Sequence, residues 1–211
     1  MPLLNQWSPT PESTAAVWRI EEDEDFFLNA LSAGPHLLAA LGPLKVQKRR
    51  LEFLAGRYLL RYLAPGFPLR LIKPDEHDKP RLPEDALRFS ISHSFPFAAA
   101  VVSSLQECGI DVQKPHPRIA AFADKFLTPA EREHTSEREE DLLLAWSVKE
   151  AAYKWQGRRG VEFREHLPLT GLERGDCLWR ASIELRLTDT PRPLEVHGWQ
   201  EEEYALAVAI S

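Results

Sequence analysis

The sequence predicts an α+β protein made of two similar lobes, each with antiparallel strands packed on helices. Helical and strand periodicities occur in both halves of the chain, and the halves have comparable length and a similar order of elements, without a strict repeat. With 211 residues, of which 44% are hydrophobic, the chain can bury one large core or two small ones. We therefore expect lobes at residues 1–105 and 106–211.

The first half predicts strands and helices in turn, and its longest helix has a basic flank. Between Lys45 and Leu63 the apolar residues recur at helical spacing, while the basic residues stay off that stripe. The polar stretch from Lys73 to Pro83 predicts a surface loop. The other predicted elements are a strand at 17–20, a helix opened by the acidic segment 21–25, and strands at 69–72, 88–93 and 97–102.

The second half opens with a short strand at 108–113, in which Asp111 follows the apolar run and is expected at the strand end. The Thr-Pro-Ala-Glu segment at 128–131 has the pattern of a helix capping box, with proline at the first helical position. The charged run at 131–141 predicts a solvated loop. Further helices are predicted at 119–126, 128–134 and 142–153, and strands of a meander at 178–187, 194–199 and 204–210.

Composition limits the classes of function. A formal net charge of −6 and a pI near 5.7 argue against broad nucleic-acid binding, so any anion site must be local. Cys108 and Cys177 lie in apolar surroundings and are interpreted as buried thiols in a reducing compartment. No segment has the pattern of a secretory signal or the apolar length of a membrane span, so we expect a cytoplasmic protein that does not associate with membranes.

Asp111 and Glu150 are the acidic residues best suited to a divalent cation. Glu150 lies on a predicted helix with Lys154 one turn beyond, so a fold that joins the two acids would hold a hard cation beside a phosphate. Taken singly, each acid is equally typical of a cap, a turn or a salt bridge, and Glu150 with Lys154 is also an ordinary surface ion pair. Together they predict phosphoryl-group chemistry.

Several residues of the first half predict contact with an anion. His93 follows Ser92 at the end of an alternating strand, so small donors and an imidazole are expected to converge on one turn that can hold a phosphate. A lone histidine here is also typical of a core residue. Lys79 precedes a rigid proline and is a second candidate. On the basic helix we expect most basic residues to form a solvated flank and one or two to meet the anion, among Lys45, Lys48, Arg49, Arg50, Arg57 and Arg61.

Five motifs, taken in order, resemble the 4′-phosphopantetheinyl transferases. They are Lys79-Pro80, Ser90-Ile-Ser-His93-Ser94, Gly109-Ile-Asp111-Val-Gln113, Phe126-Leu-Thr-Pro-Ala-Glu131 and Trp146-Ser-Val-Lys-Glu150-Ala-Ala-Tyr-Lys154. The resemblance runs from about Arg50 to Lys154, and the length is similar to that of the two-lobed, monomeric subclass of the surfactin-synthetase-activating type. It implies two lobes related by a pseudo-twofold axis, with coenzyme A and Mg²⁺ bound between them.

The resemblance also implies roles for individual residues. Asp111, Gln113 and Glu150 are similar in position to the metal-binding residues, and Lys154 to the lysine that meets the coenzyme A phosphates. The family often has Glu where this chain has Gln113, and Gly where it has Asp78. The nucleotide end of coenzyme A, with its 3′-phosphate, is implied to contact Lys79, Ser92 and His93 and, by a looser match, Arg50 and Arg57.

The implied reaction is Mg²⁺-dependent attack by a serine hydroxyl of an apo acyl or peptidyl carrier protein on the β-phosphate of coenzyme A. The products are the 4′-phosphopantetheinyl carrier and adenosine 3′,5′-bisphosphate. Glu150 is expected to receive the serine proton, directly or through water, and Lys154 to assist. The segment 119–126, with Arg118, Phe122, Lys125 and Phe126, is a candidate docking patch for the acidic carrier, although it is equally typical of an amphipathic core helix.

Two other functions stay open at this point. One is a non-catalytic module that binds coenzyme A or a carrier protein, which the uncharged side chain of Gln113 favours. The other is a Mg²⁺-dependent hydrolase of small nucleotides, against which the sequence offers no nucleophile motif and no glycine-rich phosphate loop. Modification of a carrier protein distinguishes the transferase from both. We expect a monomer.

Overall fold

The computed structural model describes residues 2–136, 138–175 and 178–211, so Cys177 lies outside the described residues. The chain divides into two compact units, Met1–Gln106 and Glu107–Ser211, which we call unit 1 and unit 2. Each has its own antiparallel sheet and its own hydrophobic core. The prediction of an α+β fold is confirmed.

Unit 1 contains a four-stranded antiparallel sheet with the strand order β1-β2-β6-β5. A two-residue ribbon, β3 with β4, lies between the helices and β5 in sequence. The strands are β1 Leu3–Trp7, β2 Ser13–Arg19, β3 Lys73–Pro74, β4 Pro80–Arg81, β5 Arg88–Ser94 and β6 Phe97–Ser103. The helices are α1 Glu24–Ala30, α2 Pro35–Leu41 and α3 Gln47–Leu63, with 3-10 turns at Leu69–Leu71 and Pro83–Asp85.

The long helix α3 lies directly against β5, the strand that carries His93. Its apolar face is buried, with Leu54 and Leu59 fully inaccessible. Gly56 permits the close approach, because an added Cβ would lie 2.7 Å from Cγ2 of Ile91 on β5. The first turns of α3 are therefore held beside the end of β5.

Unit 2 contains a five-stranded antiparallel sheet with the order β7-β11-β10-β9-β8. Helix α6 packs against β7, β11 and β10, and it contributes most of its apolar residues to the core. The strands are β7 Cys108–Gln113, β8 Leu169–Arg174, β9 Trp179–Leu185, β10 Arg192–Gln200 and β11 Ala205–Ile210. The helices are α4 Ile119–Phe122, α5 Pro129–Arg132, α6 Glu139–Gln156 and α7 Phe163–His166, with a 3-10 turn at Ala123–Lys125.

Three predictions about elements were wrong. The strand predicted at 69–72 is a 3-10 turn, because a short apolar run between prolines has too few residues to reveal its period. The loop predicted at 73–83 contains the β3–β4 ribbon. Asp111 does not end its strand, since β7 continues to Gln113. Strands β1 and β8 were not predicted.

The solvated loop predicted at 131–141 was also wrong. Glu131 and Asp141 are 3% and 2% exposed, because each carboxylate has partners within the fold. Asp141 accepts hydrogen bonds from Arg138 Nη2 at 3.1 Å and from the Ser136 backbone N–H at 3.2 Å. The predicted capping box at 128–131 is confirmed. Across the described ranges of the chain, no helix combines the length and the apolar character needed to cross a bilayer.

Candidate functional site

Strand β7 and helix α6 bring the predicted acidic residues together in unit 2. Asp111 is paired with Ala207 of β11 and is only 1% exposed. Glu150 and Lys154 lie one turn apart on α6, on the same face of the helix. The fold thus brings two motifs that are distant in sequence into a single cluster of charged side chains.

The distance between β7 and α6 depends on Gly109. A Cβ built at this position would lie 2.5 Å from the backbone nitrogen of Trp155, and closer still to the carbonyl oxygen of Ala151. Both atoms belong to the backbone of α6, so they cannot swing aside as the end of a side chain can. A residue without a side chain is therefore required two positions before Asp111.

Asp111 is the centre of a hydrogen-bond network. Lys154 Nζ donates to Asp111 Oδ1 at 2.7 Å and to the carbonyl oxygen of Ile110 at 3.0 Å. Gln113 Nε2 donates to Asp111 Oδ2 at 3.1 Å. The strand thus fixes the lysine ammonium at one oxygen of the carboxylate and the amide of Gln113 at the other.

Glu150 has an unusual affinity for protons. Its pKa is raised to about 7, mainly by burial and then by the negative charge of Asp111, while the positive charge of Lys154 opposes both effects. The two carboxylates are therefore near enough to repel each other. A carboxyl group that ionises near neutral pH is suited to accept a proton during a reaction.

The chemistry of these residues fits a magnesium ion. Two carboxylates share one lysine, which leaves one negative charge for a cation to balance. Within the described residues, no three His, Cys, Asp or Glu side chains form a group that could hold a metal, and the third ligand that the resemblance implies is the amide oxygen of Gln113. Mg²⁺ commonly binds one or two carboxylates and completes its shell with water and phosphate oxygens.

His93 and Ser92 lie on opposite faces of β5. Ser92 is buried, whereas the His93 side chain is 39% exposed and lies on the side of α3, with Nδ1 3.6 Å from the carboxylate of Glu52. Alternation along a strand places neighbouring side chains on opposite faces. The expected convergence of both side chains on one turn was therefore wrong, and His93 is the one that stands beside the basic end of α3.

Lys79 lies in the tight turn of the β3–β4 ribbon. Asp75 Oδ1 accepts hydrogen bonds from the backbone N–H groups of His77 and Lys79, at 2.8 and 2.9 Å. Asp78 has a φ of +62°, in the left-handed region that glycine adopts without strain and aspartate tolerates. Glycine is thus the least strained residue at this position, and Asp78 adopts the same turn.

Arg50 is engaged within unit 1. Its guanidinium forms an ion pair with Glu24 of α1, and Nη1 donates to the carbonyl oxygens of Leu41 and Leu44 at 2.9 and 3.2 Å. These bonds tie α3 to α1 and to the chain after α2. They leave Arg50 with fewer donors for an outside anion than its neighbour Arg49, whose side chain is 61% exposed.

Arg57 lines a basic cavity in unit 1. Its guanidinium stacks on the Phe53 ring, 3.4 Å from the ring centroid, and donates one long hydrogen bond of 3.4 Å to the Phe53 carbonyl oxygen. Burial lowers the pKa of Arg57 to about 10. The cavity has a volume of about 570 Å³, and Arg61 and Arg70 line it as well, whereas no acidic residue stands among its described lining residues. An anion would stabilise these guanidinium groups.

A second cavity, in unit 2, has aromatic walls. It has a volume of about 490 Å³, and Gln113, which also donates a hydrogen bond to Asp111, is one of its lining residues. The Trp146 ring packs against Phe126 and Phe163, with centroids 5.0 and 5.5 Å apart. At its rim Phe122 is 38% exposed, and Lys125 Nζ lies 5.1 Å from the Phe122 ring centroid. The predicted docking segment at 119–126 forms one side of this cavity.

Comparison with known proteins matches both units to one family. Residues 107–209 match the 4′-phosphopantetheinyl transferase superfamily, and residues 43–103 match the 4′-phosphopantetheinyl transferase N-terminal domain. The chain belongs to the 4′-phosphopantetheinyl transferase superfamily. A 4′-phosphopantetheinyl transferase of Bacillus subtilis is 29% identical over 143 residues, which is 63% of this chain and 59% of that protein. This superfamily member therefore spans about three fifths of the length of the curated relative it matches.

One buried ion pair beside the charged cluster was missed in the sequence analysis. Lys149, next to Glu150, is fully buried, forms an ion pair with Glu131, and donates to the carbonyl oxygens of Phe126 and Phe163 at 2.6 and 3.1 Å. Glu131 also accepts hydrogen bonds from the backbone N–H groups of Thr128 and Leu169, both at 2.6 Å. The buried pair joins two walls of the aromatic cavity to α6.

A signal for this pair exists in the sequence. Leu142, Ala145, Lys149 and Ala152 recur at helical spacing, so Lys149 lies on an apolar stripe of α6. A lysine on such a stripe needs a buried partner. Burial alone would raise the pKa of Glu131, but hydrogen bonds from Lys149 and the two backbone N–H groups lower it below the usual value.

Proposed function

We propose that this protein transfers the 4′-phosphopantetheine group of coenzyme A to a serine of an apo acyl or peptidyl carrier protein. The serine oxygen bonds to the β-phosphorus, the bond from that phosphorus to the bridging oxygen breaks, and the electron pair leaves with adenosine 3′,5′-bisphosphate. The observation that carries the proposal is the cluster of Asp111, Glu150 and Lys154, held in hydrogen-bond and electrostatic contact by β7 and α6.

Asp111 and Glu150, with Gln113 as a third ligand, would hold a magnesium ion. The bound ion would offset negative charge on the pyrophosphate and on the departing phosphate oxygen. Glu150, with a pKa near 7, accepts the proton of the serine hydroxyl, directly or through a water molecule. Lys154 donates hydrogen bonds to phosphate oxygens and adds positive charge where charge develops.

Unit 1 supplies groups for the nucleotide end of coenzyme A. His93 lies beside the basic start of α3, Lys79 follows a left-handed turn that fixes its backbone, and Arg57 lines a cavity without acidic residues among those described. We assign the 3′-phosphate and the nucleotide to this group of residues. Arg50 contributes mainly to the packing of α1 on α3. Ser92 is buried on the face of β5 opposite to His93, so we assign it a place in the packing of the strand and no contact with the phosphate.

The carrier protein is assigned to the aromatic cavity of unit 2 and its rim. Carrier proteins are acidic, and the exposed Phe122 next to Lys125 and Arg118 offers an apolar contact edged with positive charge. The net acidic charge of the whole chain makes a local basic rim necessary. Since Ile119 and Phe126 are buried, the segment is both a part of the core and an exposed edge.

The test is incubation of the protein with coenzyme A, Mg²⁺ and an apo carrier, followed by intact mass spectrometry of the carrier. A gain equal to one phosphopantetheine group supports the transferase. Binding of coenzyme A without any gain across a panel of carriers would instead support the non-catalytic module. Release of nucleotide in the absence of a carrier would support a hydrolase. We further propose that the protein acts as a monomer in the cytoplasm, which sedimentation and cell fractionation test.

A further inference from the structure

Glu52 is a buried acid at the basic start of α3. Its side chain is only 2% exposed, yet three basic side chains surround it. Arg49 Nη1 donates to Glu52 Oε2 at 3.0 Å, His93 Nδ1 lies 3.6 Å from the same oxygen, and Lys48 Nζ lies 3.9 Å from Oε1. A buried carboxylate is costly unless several donors satisfy it, so this arrangement calls for an explanation.

Glu52 also fixes the turn that follows β5. The backbone N–H of Phe95 donates to Glu52 Oε1 at 3.2 Å, and Lys48 Nζ lies 5.7 Å from the centre of the Phe95 ring. The carboxylate thus binds both the helix and the turn next to His93. Loss of the carboxylate would remove the contacts that hold the start of α3 and the turn after β5 beside each other.

The surrounding cations keep much of their binding capacity. Arg49 and Lys48 have side chains that are 61% and 48% exposed, so they reach solvent above the buried acid. Arginine has five N–H donors, and Arg49 uses one of them on Glu52. The negative charge of Glu52 balances only one of the two positive charges of Arg49 and Lys48, so the group keeps a net positive charge. Such a group, already held in place, suits a phosphate monoester.

We propose that Glu52 is a positioning residue that holds Arg49, Lys48 and His93 in place for the terminal 3′-phosphate of coenzyme A. The inference rests on the proposed function, because it assigns a new residue to the same reaction. Glu52 does not touch the phosphate; it lowers the repulsion between the cations and prevents them from turning away. Its effect should therefore fall on recognition of the 3′-phosphate and not on the transfer step.

Glu52→Gln tests the inference, since glutamine keeps the size of the side chain and an acceptor for the Phe95 N–H. We measure the dissociation constants of coenzyme A and 3′-dephospho-coenzyme A by titration calorimetry, and kcat and KM for transfer. We expect about tenfold weaker binding of coenzyme A, a smaller change for the dephospho compound, and an unchanged kcat and carrier KM. A structural role alone would not reduce the preference for the 3′-phosphate.

Asp141→Asn is the matched control. Asp141 is equally buried and also accepts from an arginine and a backbone N–H, but it lies in unit 2 at the start of α6. It should leave the preference for the 3′-phosphate unchanged. If Glu52→Gln does not fold, Arg49→Gln, at a mostly exposed position, is measured instead, and it should reduce the preference for coenzyme A over the dephospho compound. An unchanged preference in Arg49→Gln would overturn the assignment of this group to the 3′-phosphate.

The outcomes separate the two claims. If the wild type binds coenzyme A and the folded Glu52→Gln variant keeps the same preference for the 3′-phosphate, the role of Glu52 is overturned. Wild-type protein that neither binds coenzyme A nor modifies a carrier would overturn the proposed function itself.

Discussion

Replacement of Gly109 by alanine should separate the two halves of the charged cluster in unit 2. The new Cβ would lie 2.5 Å from the Trp155 nitrogen and closer still to the Ala151 carbonyl oxygen, whereas an ordinary contact begins at 3.4 Å, so β7 and α6 must move apart by at least about 0.9 Å. The 2.7 Å bond from Lys154 to Asp111 would lengthen by a similar amount and cease to be a hydrogen bond. A displacement of about 1 Å can lower a rate about 100-fold.

The assay for Gly109→Ala is the time course of carrier modification by intact mass, together with thermal unfolding. We expect kcat/KM to fall about 100-fold and stability to fall by about 1–3 kcal/mol, the usual cost of overpacking. Gly171→Ala in β8 is the control, because its Cβ would meet only Ser182, at 3.8 Å. A Gly109→Ala enzyme with wild-type kcat/KM would refute the argument that this glycine sets the spacing of the cluster.

Three further predictions concern charge. Between pH 4.5, the ordinary pKa of Glu150, and about pH 7, its raised pKa in the folded protein, folding takes up a proton at this side chain. Without metal, the free energy of unfolding should therefore fall by up to about 3 kcal/mol as the pH rises through this range, and then level off. Urea denaturation at several pH values should show this slope in the wild type and not in Glu150→Gln. Lys149→Met leaves Glu131 buried without its partner, so the free energy of unfolding measured by urea denaturation should fall by about 3–5 kcal/mol. Adding Glu131→Gln should restore a part of this loss. Equal stability of Lys149→Met and wild type would contradict the role of the pair. Arg57→Gln should weaken coenzyme A binding about tenfold in titration calorimetry without changing the carrier KM, and an unchanged affinity would remove the basic cavity from the nucleotide site.

The fold could be predicted where the sequence pattern is long or chemically specific. The apolar stripe of α3 and the capping box of α5 gave the correct elements. A stretch such as 69–72 offers only four residues between prolines, and its length cannot distinguish a strand from a turn. Local pattern thus predicts elements well only when several periods are present.

The members of the site could be predicted better than their contacts. Asp111 and Glu150 were recognised as partners from their motifs, and the structure places them in electrostatic contact. The burial of Lys149 and Glu52 was not predicted, because their partners Glu131 and His93 lie far away in the sequence. Ser92 was placed with His93 although strand alternation separates their side chains. Partners distant in sequence decide whether a charge is buried, and a single sequence does not reveal them.

We propose that Asp111 and Glu150 act on coenzyme A as one magnesium-binding pair. Its most direct test is the rate of carrier modification by wild-type protein and by Asp111→Ala, after removal of metal with a chelator and as Mg²⁺ is added back. We expect no transfer without metal, full recovery of the wild-type rate with Mg²⁺, and no recovery for folded Asp111→Ala. Transfer at the wild-type rate by the metal-free protein, or by Asp111→Ala, would contradict it.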